Sequence, residues 1–160
     1  MTTTFVPEVS LRYQGPKRGE PFDPIASHSE APHLIRPVLP DNVPEHFAAL
    51  FLDGRHPVCS FYVAATGTAA TCPLTLREVF QPAIVAGALA IILGHNHPAD
   101  SVNPSTEDRS VTKRLFEPGE LLGIPVLDHI IGTADAYYSF NEQGEMPSSV
   151  QTLKALHSVA

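Results

Sequence analysis

The run Ala90-Ile91-Ile92-Leu93 breaks abruptly into Gly94-His95-Asn96-His97. A short, wholly apolar segment reads as a strand buried on both faces. Such a strand needs hydrogen-bonding neighbours on either side and cover above and below, and the surrounding sequence supplies both. His46 to Leu52 reads as a buried strand, Asp53-Gly54 as a turn, and Pro57 to Ala65 as the hairpin partner, carrying Val58, Phe61, Tyr62 and Val63. Leu76 to Ala88 reads as a helix with apolar positions at Val79, Phe80, Ile84 and Val85, bent at Pro82. Asn103 to Glu117 reads as a second helix, stopped by Pro118-Gly119. Ile124 to Ile131 and Ala136 to Phe140 give two more strands. The order is hairpin, helix, strand, helix, strands. A mixed β-sheet flanked by helices buries every apolar face, so the fold class is α/β or α+β.

The first forty residues differ. Pro7, Pro16, Pro21, Pro24, Pro32, Pro37 and Pro40 crowd there, and proline blocks continuous helix and central strand. A short strand at Val9 to Tyr13 and a short helix from Ser29 to about Val38 are expected, separated by an irregular stretch over 14–26. The chain thus divides into a proline-rich arm (1–40), a folded domain (41–145) and a tail (146–160) with a terminal helix expected at Val150 to Val159.

With 160 residues, one domain with a sizeable core is expected. The net charge of −7 argues against a nucleic-acid surface, which needs clustered cations. Lys17-Arg18 and the group Arg109, Lys113 and Arg114 are the basic exceptions, and the second group has the spacing of a solvated helix face. The longest apolar run, Ala83 to Leu93, is too short to span a bilayer, and a signal peptide is not expected from MTTTFVPEVS, which has neither a basic start nor an apolar core. Cys59 and Cys72 are too few for a disulfide framework. A cytoplasmic protein with reduced, buried thiols is expected.

The chemistry concentrates in HNHPADSVNPSTED, residues 95–108. Alternate strand residues point the same way, so His95 and His97 present both imidazoles to one point. Seven residues separate His97 from Ser105, and Asp108 follows in the first turn of the next helix. Two imidazoles and a carboxylate suit zinc and leave a fourth position for water, the open arrangement of a catalytic site. Ser105-x-x-Asp108 also reads as a capping box. The two readings are compatible, since Ser105 can start the helix and still point its hydroxyl at a bound water.

The pattern His95-x-His97, seven residues, Ser105-x-x-Asp108 resembles the JAMM motif of MPN/JAB-domain metallopeptidases, which share a cytidine-deaminase-like sheet. The closer likeness is to the RadC-like branch, through GT at 67–68, REVF at 77–80, AIILGHNHP at 90–98, LLGIPVLDHII at 121–131 and YYSF at 137–140. The resemblance covers roughly residues 42–145. It implies a sheet wrapped by helices with one zinc per chain at its edge. It also implies hydrolysis of a peptide or isopeptide bond in a protein or peptide substrate by zinc-activated water. A glutamate on the first strand is the family's general base, and Glu45 stands at the matching position. Ser105 would then donate to the developing oxyanion.

Asp128 and Asp100 are candidates to receive the second N–H of a ligating imidazole. Asp128-His129 is a polar pair inside an apolar strand, read mainly as a hydrogen-bonded structural pair. Asn96 points away from the ligands and reads as a loop-fixing residue. Ala99-Asp100 replaces the Ser-Gly pair usual after HNHP in this branch, which puts the loop's substrate contacts in question. Two rival functions remain. One is a DNA repair or recombination accessory, for which the helix-hairpin-helix region of longer RadC-like proteins is not expected here. The other is a non-catalytic zinc module, in which His129, His56 or Asp100 would close the site as a fourth ligand.

Overall fold

The computed structural model of the chain describes Ile35, Leu39 and residues 45–54, 58–67, 74–97, 101–133 and 135–148. Five strands and two helices follow one another: β1 (His46–Leu52), β2 (Val58–Thr66), α1 (Leu76–Ala86), β3 (Ala90–Asn96), α2 (Thr106–Leu122), β4 (Val126–Gly132) and β5 (Tyr137–Ser139). The strands form one mixed sheet in the order β2-β1-β3-β4-β5. β3 is the central strand, antiparallel to β1 and parallel to β4. The parallel step requires a crossover, and α2 supplies it.

Both faces of β3 are buried, as its composition demands. Ile91 and Leu93 join Ala49 and Phe51 of β1 against Val79, Phe80 and Ala83 of α1 and Leu115 of α2. Ala90 and Ile92 join Ala48, Leu50 and Leu52 on the opposite face. That face is closed in part by Ile35 and Leu39, from the stretch read as an arm. Leu39 N–H donates to the Ile35 carbonyl at 3.1 Å, one helical turn away. A Cβ at Gly94 would run into the Ile35 side chain, so glycine there lets the two elements approach. The strand expected at Val9 to Tyr13, the terminal helix and most of the helix expected from Ser29 lie outside the described residues.

Several local expectations are corrected. Pro118 does not end the second helix; α2 continues to Leu122 and stops at Gly123, which adopts φ 69°. Proline removes the N–H that would bond the Arg114 carbonyl, at a cost of roughly 3 kcal/mol in a helix interior. Burial of Leu115, Phe116 and Gly119 along the same face outweighs it. The first helix stops at Ala86, with Gly87 as its left-handed cap, and it buries Val79, Phe80 and Ala83 while Ile84 is exposed. Asp53-Gly54 opens the β1–β2 connection, as expected, with Gly54 in a turn, and the register pairs Leu52 with Val58. Cys59 is exposed rather than buried, because β2 is the last strand on its side of the sheet; its thiol donates to the Phe51 carbonyl. Cys72 is outside the described residues. Arg109, Lys113 and Arg114 are exposed on α2, as their spacing suggested. Among the described residues, no helix is long and apolar enough to cross a membrane.

Candidate metal centre

The site lies where β3 ends, beside the start of β1 and the first turn of α2. His95 falls on the helix-facing side of β3, in phase with Ile91 and Leu93. His97 follows the last strand residue, and its N–H still pairs with the Gly132 carbonyl. The two imidazoles meet, with Nε2 to Nε2 at 2.9 Å. Asn96, between them, accepts from the His46 N–H at 2.6 Å, so the expected loop-fixing residue ties the end of β3 to the start of β1.

Asp108 arrives as the third residue of α2, where its acid suits the positive end of the helix dipole. Ser105 is the N-cap, and the box is reciprocal: Asp108 N–H donates to Ser105 Oγ at 3.1 Å and Ser105 N–H donates to Asp108 Oδ2 at 2.7 Å. The Ser105 hydroxyl also donates to Asp108 Oδ2 at 2.6 Å. The capped carboxylate still faces the histidines, with Oδ1 at 3.1 Å from His95 Nε2 and Oδ2 at 3.4 Å from His97 Nε2. Cap and cluster therefore share one residue. Glu45, just before β1, brings Oε1 to 3.9 Å from His95 Nε2. Each of Glu45, His95, His97 and Asp108 offers a ligand atom, all within 4.8 Å of one another.

Electrostatics favours a cation at this point. Burial alone would raise the Asp108 carboxyl, but hydrogen bonds from His95, His97 and Ser105 hold it far below the usual carboxylate range. The bond with Asp108 raises the His97 imidazole above its ordinary value against the opposing effect of burial. His97 Nδ1 lies 2.7 Å from the Ser101 carbonyl, which only accepts, so Nδ1 carries a proton and the Nε2 lone pair of the neutral ring faces His95. Two ring nitrogens 2.9 Å apart need a proton or a metal ion between them. The donor set also fits a metal: tetrahedral zinc with bonds of about 2.0–2.1 Å sets its ligand atoms about 3.3 Å apart. The separations of 2.9, 3.1 and 3.4 Å bracket that spacing.

The Asp128-His129 pair splits. Asp128 is not the partner of a ligating imidazole. It faces the other way, accepting from the Ser139 hydroxyl at 2.6 Å and from the N–H groups of His129 and Asn141. His129 instead meets His95, Nε2 to Nδ1 at 3.0 Å, and with that nitrogen engaged it is not a fourth member of the donor cluster. Asp100 and His56 are outside the described residues, as is the Ala99-Asp100 step. Thr112, which touches His129, carried no signal in the sequence beyond its place on a helix.

A mixed sheet with paired histidines at the end of its central strand and a carboxylate in the first turn of the next helix is the α+β arrangement of JAB/MPN domains. This chain belongs to the RadC-like JAB domain family, whose model matches residues 25–145. It is 39% identical over 120 residues to a UPF0758 protein of Rubrobacter xylanophilus, covering 75% of this chain and 52% of that one. A UPF0758 protein of Trichlorobacter lovleyi is 40% identical over 133 residues, covering 83% and 57%. One from Staphylococcus haemolyticus is 42% identical over 120 residues, covering 75% and 53%. The chain thus spans about half the length of the curated relatives it matches.

Proposed function

We propose that this domain is a zinc-dependent hydrolase that cleaves a peptide or isopeptide bond, with Glu45 as general base. The observation that carries the reading is the placement of Glu45. His95, His97 and Asp108 converge with donor separations of 2.9–3.4 Å, while the Glu45 carboxylate stands back at 3.9 Å from His95 Nε2. That leaves it beside the place where a nucleophilic water would sit.

His95, His97 and Asp108 would hold the metal. When bound, zinc lowers the pKa of water towards neutrality and polarises a carbonyl. Glu45 takes the proton from the attacking water and passes it to the leaving amine. The main chain that carries Glu45 is held in place, since the Glu45 main-chain carbonyl accepts from Gly67 N–H at 2.8 Å and the neighbouring His46 N–H is tied to Asn96. Ser105 donates to the developing oxyanion on turning its hydroxyl from Asp108 Oδ2. Zinc is favoured over harder cations by the two imidazole donors. A protein or peptide substrate is favoured over nucleic acid by the net charge of −7.

A second reading has one observation behind it. Glu45 belongs to the same 4.8 Å donor set, and a shift towards the cluster would close the site with four protein ligands, as in a structural zinc site. The test is cleavage of a library of linear and isopeptide-linked peptides by the zinc-loaded chain and by Glu45→Gln. The hydrolase reading expects turnover that falls by about 100-fold or more in Glu45→Gln with zinc retained. Loss of zinc in Glu45→Gln, with no turnover by the wild type, would establish the closed site instead.

A further inference from the structure

We propose that Thr112 and His129 form a directional hydrogen-bond chain that fixes the proton of His95 on Nδ1 and so presents its Nε2 lone pair to the metal centre. The inference rests on the reading of His95 as a ligand, but the chain itself is a property of the protein alone.

The direction follows from one hydroxyl. Thr112 Oγ1 lies 2.7 Å from the Asp108 carbonyl oxygen and 2.7 Å from His129 Nδ1. A hydroxyl has one proton to give, and a carbonyl oxygen can only accept. Thr112 therefore donates to Asp108 and accepts from His129, which places the His129 proton on Nδ1. His129 Nε2 is then bare and lies 3.0 Å from His95 Nδ1, so His95 supplies the proton for that bond. The remaining His95 nitrogen, Nε2, is left as a lone pair, 3.1 Å from Asp108 Oδ1 and 2.9 Å from His97 Nε2. Reversing every bond would leave two oxygens 2.7 Å apart, at Thr112 and Asp108, with no proton between them. It would also aim the His95 N–H into the donor cluster.

The rings cannot easily turn to escape this order. His95 and His129 are fully buried. Phe47 stacks on His95 with centroids 5.8 Å apart, and Phe140 stacks on His129 at 5.1 Å. The placement of His129 depends on the sheet. The β3–β4 register pairs Ile91 with Val126 but Ile92 with Asp128, so β4 carries one extra residue at Leu127. Without that bulge, the alternation would send His129 to the opposite face. Asp108 thus acts at both ends: its side chain faces His95 Nε2 and its main-chain carbonyl terminates the chain that sets His95 Nδ1. Thr112 and His129 are positioning residues and touch neither substrate nor metal.

The experiment is nitrogen-15 NMR of the histidine-labelled 160-residue chain, without metal and with zinc, together with zinc affinity measured by competition with a chromophoric chelator. The wild type is expected to show His129 protonated at Nδ1 and bare at Nε2 even without metal, and His95 protonated at Nδ1. Thr112→Val removes the hydroxyl at constant shape. It is expected to move the His129 proton to Nε2 and to weaken zinc binding about 10- to 100-fold, the usual effect of losing a partner behind a ligand. Thr112→Ser should restore both. A His129 proton on Nε2 in the metal-free wild type, or a Thr112→Val variant with unchanged tautomer and affinity, would overturn the proposal. If the tautomers are as stated but the wild type takes up no zinc, the chain stands and the metal reading falls.

Discussion

Asp108 meets His95 by two routes: Oδ1 lies 3.1 Å from His95 Nε2, and the Asp108 carbonyl ends the path through Thr112 and His129 to His95 Nδ1. One residue thus starts a helix, completes a donor cluster and orients its neighbour. Replacing Asp108 by Asn should keep the capping box, since an asparagine side-chain oxygen can still accept from Ser105 N–H, while removing the charge the cation needs. The expected outcome is a folded protein that no longer retains metal, checked by circular dichroism and elemental analysis together. Unfolding of the metal-free variant would show that the carboxylate is mainly structural.

Ser105→Ala separates the cap from the chemistry. Loss of the N-cap is expected to lower stability by about 0.5–2 kcal/mol with or without metal. Metal content should be retained, because the hydroxyl lies against Asp108 Oδ2 rather than among the donors. Urea unfolding with and without zinc measures the first effect and elemental analysis the second.

Gly94 carries the packing of Ile35 onto the central strand. Gly94→Ala should destabilise by about 1–3 kcal/mol through overpacking. The double variant with Ile35→Ala should recover part of that loss, since the two side chains compete for one space. Simple additivity in the cycle would show that Ile35 does not seat there.

The metal-free protein should be most stable near pH 6.5. Burial pushes the His129 imidazole well below its ordinary 6.5, so the unfolded chain binds a proton there that the folded chain refuses, and stability falls as the pH drops below that value. The His97 imidazole is raised by Asp108, so its contribution is complete below 6.5 and is lost as the pH rises through the raised value. The depressed Asp108 carboxyl adds a further loss below about 3.8. Urea midpoints measured across this range should peak, and zinc should abolish the alkaline decline, because a ligating imidazole is neutral already. A metal-free midpoint that climbs steadily above pH 6.5 would contradict the assignment.

Much of this site was legible because its signals are local. Strand alternation puts His95 and His97 together, and the Ser105-x-x-Asp108 spacing is that of a capped first turn. The central strand was legible from Ala90 to Leu93, though it runs on through His95 to Asn96. What escaped depends on tertiary structure. His129 reaches the site only because of the bulge at Leu127, which no periodicity reveals. Pro118 marked a helix end that the burial of Phe116 and Gly119 overrides. Cys59 is exposed because its strand lies at an edge, and a hydrophobic strand pattern does not say which strand is outermost.

The most direct test of the account is elemental analysis of the purified chain beside His97→Ala and Glu45→Gln. About one zinc per wild-type chain is expected, with loss of zinc in His97→Ala and retention in Glu45→Gln. A wild-type chain that purifies without metal and cannot be loaded with zinc would contradict it.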